Sequence, residues 1–351
     1  MGAGPRLLGL PDARFPTGVG ESRTAADTRK TALTGETREG ADSVNDPSGD
    51  NEPVTIAATT CSALSALDEP LPGTAATAPG YVCLEFPSGW GRDVLDGTAL
   101  GPELAAELSA RADAAGVRFM FIRRPGRDVV RATRTVLLAR TEPGATWCER
   151  LEITHPAELL DIVPQVVAGP ALGLGTPVGE PVVLVCAHGK RDQCCAVLGR
   201  PVAAALAAEF GDAVWECSHT GGHRFAPSMI LLPTGYTYGR LDAAQSADAV
   251  RAATAGRVYL PGLRGRSTWD ASGQVAEIVV RALTGADELD DFTVDEAAVP
   301  VVRHRDGRAW RVEMDKRDLP PRPASCGAAP KPVYPVVATR VTPIVGGFDR
   351  S

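Results

Sequence analysis

Four of the eight cysteines and three of the five histidines in this chain lie between Val182 and His223, and that bunching constrains its fold more than any other feature. The apolar run VVLVC ends in a loop, AHGKRDQ, that is too polar to bury. Cys186 closes the run and Cys195 follows after eight intervening residues. Further on, HTGGH places His219 and His223 around two glycines, which argue against a helix and let backbone approach a bulky group closely. Two thiolates and two imidazoles, each pair delivered by a loop at a strand end, can hold either zinc or an iron–sulfur cluster. Zinc usually takes its cysteines two to four residues apart, whereas the wider arc here suits a two-iron cluster; Cys2His2 is also a sound zinc set, so both metals stay open. Cys194 could replace Cys195 by a one-residue slip. His188 and Cys217 are read as residues that support the donors. Cys326 either folds back over the site or is a plain core thiol.

The remaining composition narrows the class. Eight cysteines in 351 residues are too few for a disulfide scaffold, so their clustering points to metal or redox chemistry in the cytoplasm. No signal-peptide core opens the chain, and no apolar run reads as a membrane span. A net charge of −7 without a basic cluster argues against nucleic acid as partner.

Read in order, residues 1–55 are polar, lack apolar periodicity and are expected to be a disordered tail. Residues 56–170 follow a strand–helix–strand–strand pattern: GYVCLEF, the amphipathic helix from Pro102 to Gly116, VRFMFIRR, RTVLLAR and TWCERLEI. Residues 171–290 repeat it as VVLVC, LGRPVAAALAAEF, AVWECS, SMILLP, YTYGRL and a closing helix, AAQSADAVRAATAG. The β-α-β-β-β-α order is that of a thioredoxin-like unit with a mixed sheet. The expected fold class is α/β: two tandem thioredoxin-like units, the first degenerate, because its matching loop PSGWGRD carries no cysteine or histidine. Residues 291–351 are expected to form a hairpin turning at Asp306-Gly307 and an extended Pro-rich tail.

CAHGKRDQCC followed by CSHTGGHRFAP, with CSALSALDEPLPGTA, GWGRDVL and RPASCG around them, resembles the sucrase/ferredoxin-like family from about residue 57 to 335. The resemblance implies a thioredoxin-like ferredoxin fold and a [2Fe–2S] cluster held by Cys186, Cys195, His219 and His223. It also implies an electron-transfer role. No acid/base carboxylate pair supports a glycosidase, and no catalytic residue is assigned. No dinucleotide fingerprint or P-loop occurs, so electrons are expected from a separate reductase and pass to a separate acceptor. Two alternatives stand beside this electron carrier. One is a zinc-stabilised Cys2His2 structural or interaction protein; the other is a thioredoxin-like thiol–disulfide oxidoreductase, which the absence of a C-x-x-C motif disfavours. Arg191 is read as an ordinary surface residue or a partner of Asp192, while Arg224 is either of that kind or a residue that docks an acidic redox partner or hydrogen-bonds near the cluster.

Overall fold

The computed structural model describes residues 59–126 and 132–344; the expected disordered tail lies outside them. The chain enters through a short helix, α1 (Cys61–Ala66), and then builds β1 (Gly80–Glu85), α2 (Pro102–Ala115), β2 (Val117–Arg123), β3 (Arg134–Arg140) and β4 (Trp147–Ile153). Helical turns follow, among them α3 (Leu159–Ile162), and then the two-residue strand β5 (Thr176–Pro177). The second half runs β6 (Val182–Cys186), α4 (Gln193–Phe210), β7 (Val214–Cys217), β8 (Ser228–Leu232), β9 (Tyr236–Gly239), α5 (Ala243–Thr254), β10 (Leu263–Arg266) and α6 (Ala271–Thr284). The α/β expectation holds.

In each half the first two strands are parallel across a helical crossover, and the third and fourth add antiparallel on the far side of the first. The two halves therefore have the same local order, β2-β1-β3-β4 and β7-β6-β8-β9, and they share one ten-stranded mixed sheet. The join is the antiparallel pair β2–β7, with Ile122 opposite Cys217 and Arg123 opposite Glu216. An Arg123–Glu216 ion pair of 2.7 Å and a 2.8 Å bond from the Ser218 amide to the Phe121 carbonyl fasten that seam. One apolar cluster crosses it, combining Tyr81, Cys83 and Met120 with Leu184, Cys186, Trp215 and Ile230.

Helix α4 starts earlier than its apolar residues suggest. Asp192 adopts an extended backbone and accepts the Cys194 amide at 2.8 Å, a helix N-cap that draws Gln193, Cys194 and Cys195 into the first turn. By length and composition Gln193–Ala213 is apolar enough to cross a membrane, contrary to the reading that no segment is. Its Val202, Ala203 and Leu206 instead pack against Val183, Val185 and Val214 of the sheet.

Beyond α6 come β11 (Phe292–Asp295), β12 (Val301–His304), β13 (Ala309–Lys316), β14 (Leu319–Pro323), β15 (Pro330–Val333) and β16 (Val336–Pro343). The expected hairpin is β12–β13, turning at Gly307 with φ 95°. The tail is not merely extended: β14 pairs with β15, and β16 lies along β13 in a four-stranded sheet β11-β12-β13-β16.

Candidate metal centre

Cys186 is the last residue of β6, wholly buried and in register with Cys217 of β7. The chain then tightens, with the amides of Arg191 and Asp192 both donating to the His188 carbonyl, and α4 begins. A Cβ on Gly199 would sit 1.9 Å from the Cys186 carbonyl oxygen. Only glycine lets the helix lie so close to the strand end, and that closeness brings Cys195 back over Cys186. The sulfurs of Cys186 and Cys195 and a ring nitrogen of His219 lie within 4.8 Å of one another.

The HTGGH loop supplies the imidazoles. Gly221 and Gly222 have φ of +91° and +69°, and a Cβ on Gly222 would meet the Phe225 ring at 2.6 Å. This doubly left-handed bend turns the chain so that the His219 and His223 rings stack, with centroids 4.3 Å apart. Nδ1 of each ring is buried without a hydrogen-bond partner. Buried polar atoms are nearly always paired, so these two nitrogens have the chemistry of metal donors, with His219 beside the two thiols and His223 outside that group of three but stacked on His219. Burial, and next the neighbouring His219, push His223 down to about 4, which leaves its ring neutral at pH 7 and able to donate a lone pair. A hydrogen bond from Cys195, with a further contribution from His219, holds the Cys186 thiol well below its usual range despite burial. The sulfurs are inside, 0% and 1% exposed, whereas both imidazoles are half-buried.

The first half braces this arrangement. His188 Nε2 donates to the Gly91 carbonyl at 2.8 Å, and its Nδ1 accepts the His219 amide at 3.3 Å. The His188 ring also meets Trp90 edge-on at 5.5 Å. Arg118 of β2 donates to the His219 carbonyl at 2.6 Å. Arg191 pairs with Asp93 of the first half rather than with its neighbour Asp192, so the two Arg-Asp loops interlock. Arg224 grips the buried Glu69 at 2.8 and 3.0 Å and lies over Phe225. Cys217 is a core thiol.

A family model described as sucrase/ferredoxin-like matches residues 71–265. The chain belongs to the sucrase/ferredoxin-like family. No curated protein and no solved structure matches the chain. The sucrase/ferredoxin-like match contains both repeats of the ten-stranded sheet up to β10, and with them all four candidate donors. It stops short of Cys61 and Cys326, which join Cys194 and Asp192 in a second group able to hold a metal ion. The sequence reading missed this group. Its only signal was the presence of cysteine in CSALS and RPASCG, far from the central stretch.

Proposed function

We propose that the protein is a [2Fe–2S] electron-transfer protein of the cytoplasm, with its cluster held by Cys186, Cys195, His219 and His223. The observation that carries this reading is the gathering of two buried thiols with the His219 ring, on which the His223 ring stacks, while Nδ1 of both rings has no partner. Bound there, the cluster supplies a one-electron couple between a separate reductase and a separate acceptor protein. The chain's own residues decide how that couple behaves. Cys186 and Cys195 donate from the core side, and His219 and His223 from the half-exposed side, beside a surface groove of about 590 Å³ that Gly221 and Gly222 line. The imidazole edge is thus the side that a partner reaches.

Two neutral imidazoles in place of thiolates make the site less negative and easier to reduce. Histidine-ligated two-iron centres span roughly −150 to +300 mV, against about −400 mV for all-cysteine plant-type ferredoxins, and the same direction is expected here. Were Nδ1 of His219 and His223 to hold the cluster, Nε2 of each ring would be left to carry a proton, and reduction would raise its basicity. The potential should therefore fall as pH rises.

The zinc reading uses the same four donors, since Cys2His2 is also a tetrahedral zinc set. Anaerobically purified protein separates the possibilities. A red-brown product with charge-transfer bands supports the cluster; a colourless one with stoichiometric zinc at these four residues replaces it with the zinc reading. A metal-free protein with disulfide-reducing activity would favour the thiol–disulfide alternative. In a redox titration from about pH 6 to about pH 10, a pH-independent potential would rule out the coupled proton.

A further inference from the structure

The adjacent residues Cys194 and Cys195 serve two different groups. Cys195 turns toward Cys186 and His219, while Cys194 turns toward Cys61 of α1 and Cys326 in the β14–β15 turn. The three sulfurs form a triangle with sides of 3.7 Å (Cys61–Cys194), 3.3 Å (Cys194–Cys326) and 3.6 Å (Cys326–Cys61). The Asp192 carboxylate closes the group, with oxygens 3.6 and 3.8 Å from the Cys61 sulfur. All three thiols are free, and the four donor atoms lie within 4.8 Å of one another.

We propose that Cys61, Cys194, Cys326 and Asp192 form a second metal centre, a closed tetrahedral zinc site distinct from that of Cys186, Cys195, His219 and His223. The spacing carries the assignment. Zinc about 2.3 Å from each thiolate and about 2.1 Å from a carboxylate oxygen sets tetrahedral sulfurs about 3.8 Å apart, and sulfur and oxygen about 3.6 Å apart. The observed sulfur–sulfur edges of 3.7, 3.3 and 3.6 Å and the sulfur–oxygen edge of 3.6 Å lie within about half an ångström of those values. Three thiolates favour a thiophilic ion over magnesium or calcium, which take oxygen. Each Asp192 oxygen already accepts a backbone amide at 2.8 Å, from Cys194 and from Cys326, so the carboxylate is held in place before any ion arrives. The Ser62 hydroxyl donates to the Cys194 sulfur at 3.3 Å, as hydroxyls do to a coordinated thiolate.

Four protein donors leave no position open for substrate, so the site is structural. The three thiols release their protons to solvent as zinc binds. The ion would then staple a helix near residue 61 and a turn near residue 326 to the first turn of α4, the turn that also carries Cys195. Chain segments 133 residues before Cys194 and 132 residues after it are joined at one point.

The test is metal analysis of the full chain, produced with both iron and zinc supplied and purified without oxygen. Stoichiometric zinc is expected, lost by at least about tenfold in C61S/C326S and kept in C186S/C195S. Zinc unchanged in C61S/C326S, or full-length protein that takes up neither zinc nor cobalt(II), would overturn the site, as would a Cys61–Cys326 disulfide in the anaerobic protein. Should C61S/C326S fail to accumulate, zinc-edge X-ray absorption of the unaltered chain decides. Three sulfurs and one oxygen support the proposal, and two sulfurs with two nitrogens refute it. Iron content is read in the same samples, so loss of the iron–sulfur reading and loss of this one are separately visible.

Discussion

One peptide bond separates Cys194 from Cys195, yet their side chains face different groups because both lie in the first turn of α4, where successive residues point about 100° apart. Periodicity in the sequence could not tell which of the two faces Cys186. That depended on where the helix starts, and Asp192 sets the start by capping it. His188 has the supporting place that the sequence reading gave it: its ring bridges the Gly91 carbonyl and the His219 amide. We expect His188→Ala to fold and to lower iron affinity by about 10–100-fold through loss of His219 positioning, measured as iron retained against a chelator. An unchanged affinity would show that His188 plays no part in holding that loop.

Most elements were legible from apolar periodicity and glycine stops: α2, α5 and the strands read in both repeats fall where the pattern puts them. The tail did not, because prolines in PPRPASCGAAPKPVYP suggest an open extended chain, whereas β16 finds its hydrogen-bond partners on β13. Strand pairing at such distance leaves no local signature. Helix α6 is likewise held by a network the sequence conceals. Tyr236 donates to Glu277 at 2.6 Å, and Arg281 reaches Glu277 at 3.0 Å and the Tyr236 oxygen at 2.9 Å, all wholly or nearly wholly buried. Trp269 adds a bond to the same carboxylate at 3.0 Å. Removing one member leaves an uncompensated buried charge, which costs about 3–5 kcal/mol. Glu277→Ala is therefore expected to lower the urea midpoint by that amount of stability, while Glu209→Ala, which removes an exposed pair with Arg251, changes it by less than about 1 kcal/mol.

Across the whole molecule, the seam between the repeats matters most. The braces on the donor loops come from the first half: the Gly91 carbonyl, Arg118, Trp90 and Asp93. A loop without cysteine or histidine thus has a task that its composition does not announce. Residues 171–290 expressed alone would expose the β7 edge and the Cys186–Trp215 face of the shared core, and would lose these braces. That fragment is expected to aggregate or to fail to retain iron, whereas residues 59–344 should unfold in a single urea transition. A monomeric, iron-retaining 171–290 fragment would show that the second repeat stands by itself.

The sequence determined the α/β class, the family and the two loops where candidate metal donors gather, because periodicity, glycine placement and a dense local motif are all properties of short segments. Tertiary structure alone decided which cysteine faces which group, that the repeats share one sheet, and that Cys61 and Cys326 meet at Cys194. The shared sheet and the meeting at Cys194 depend on contacts between residues 93 to 133 positions apart, and no local pattern encodes them.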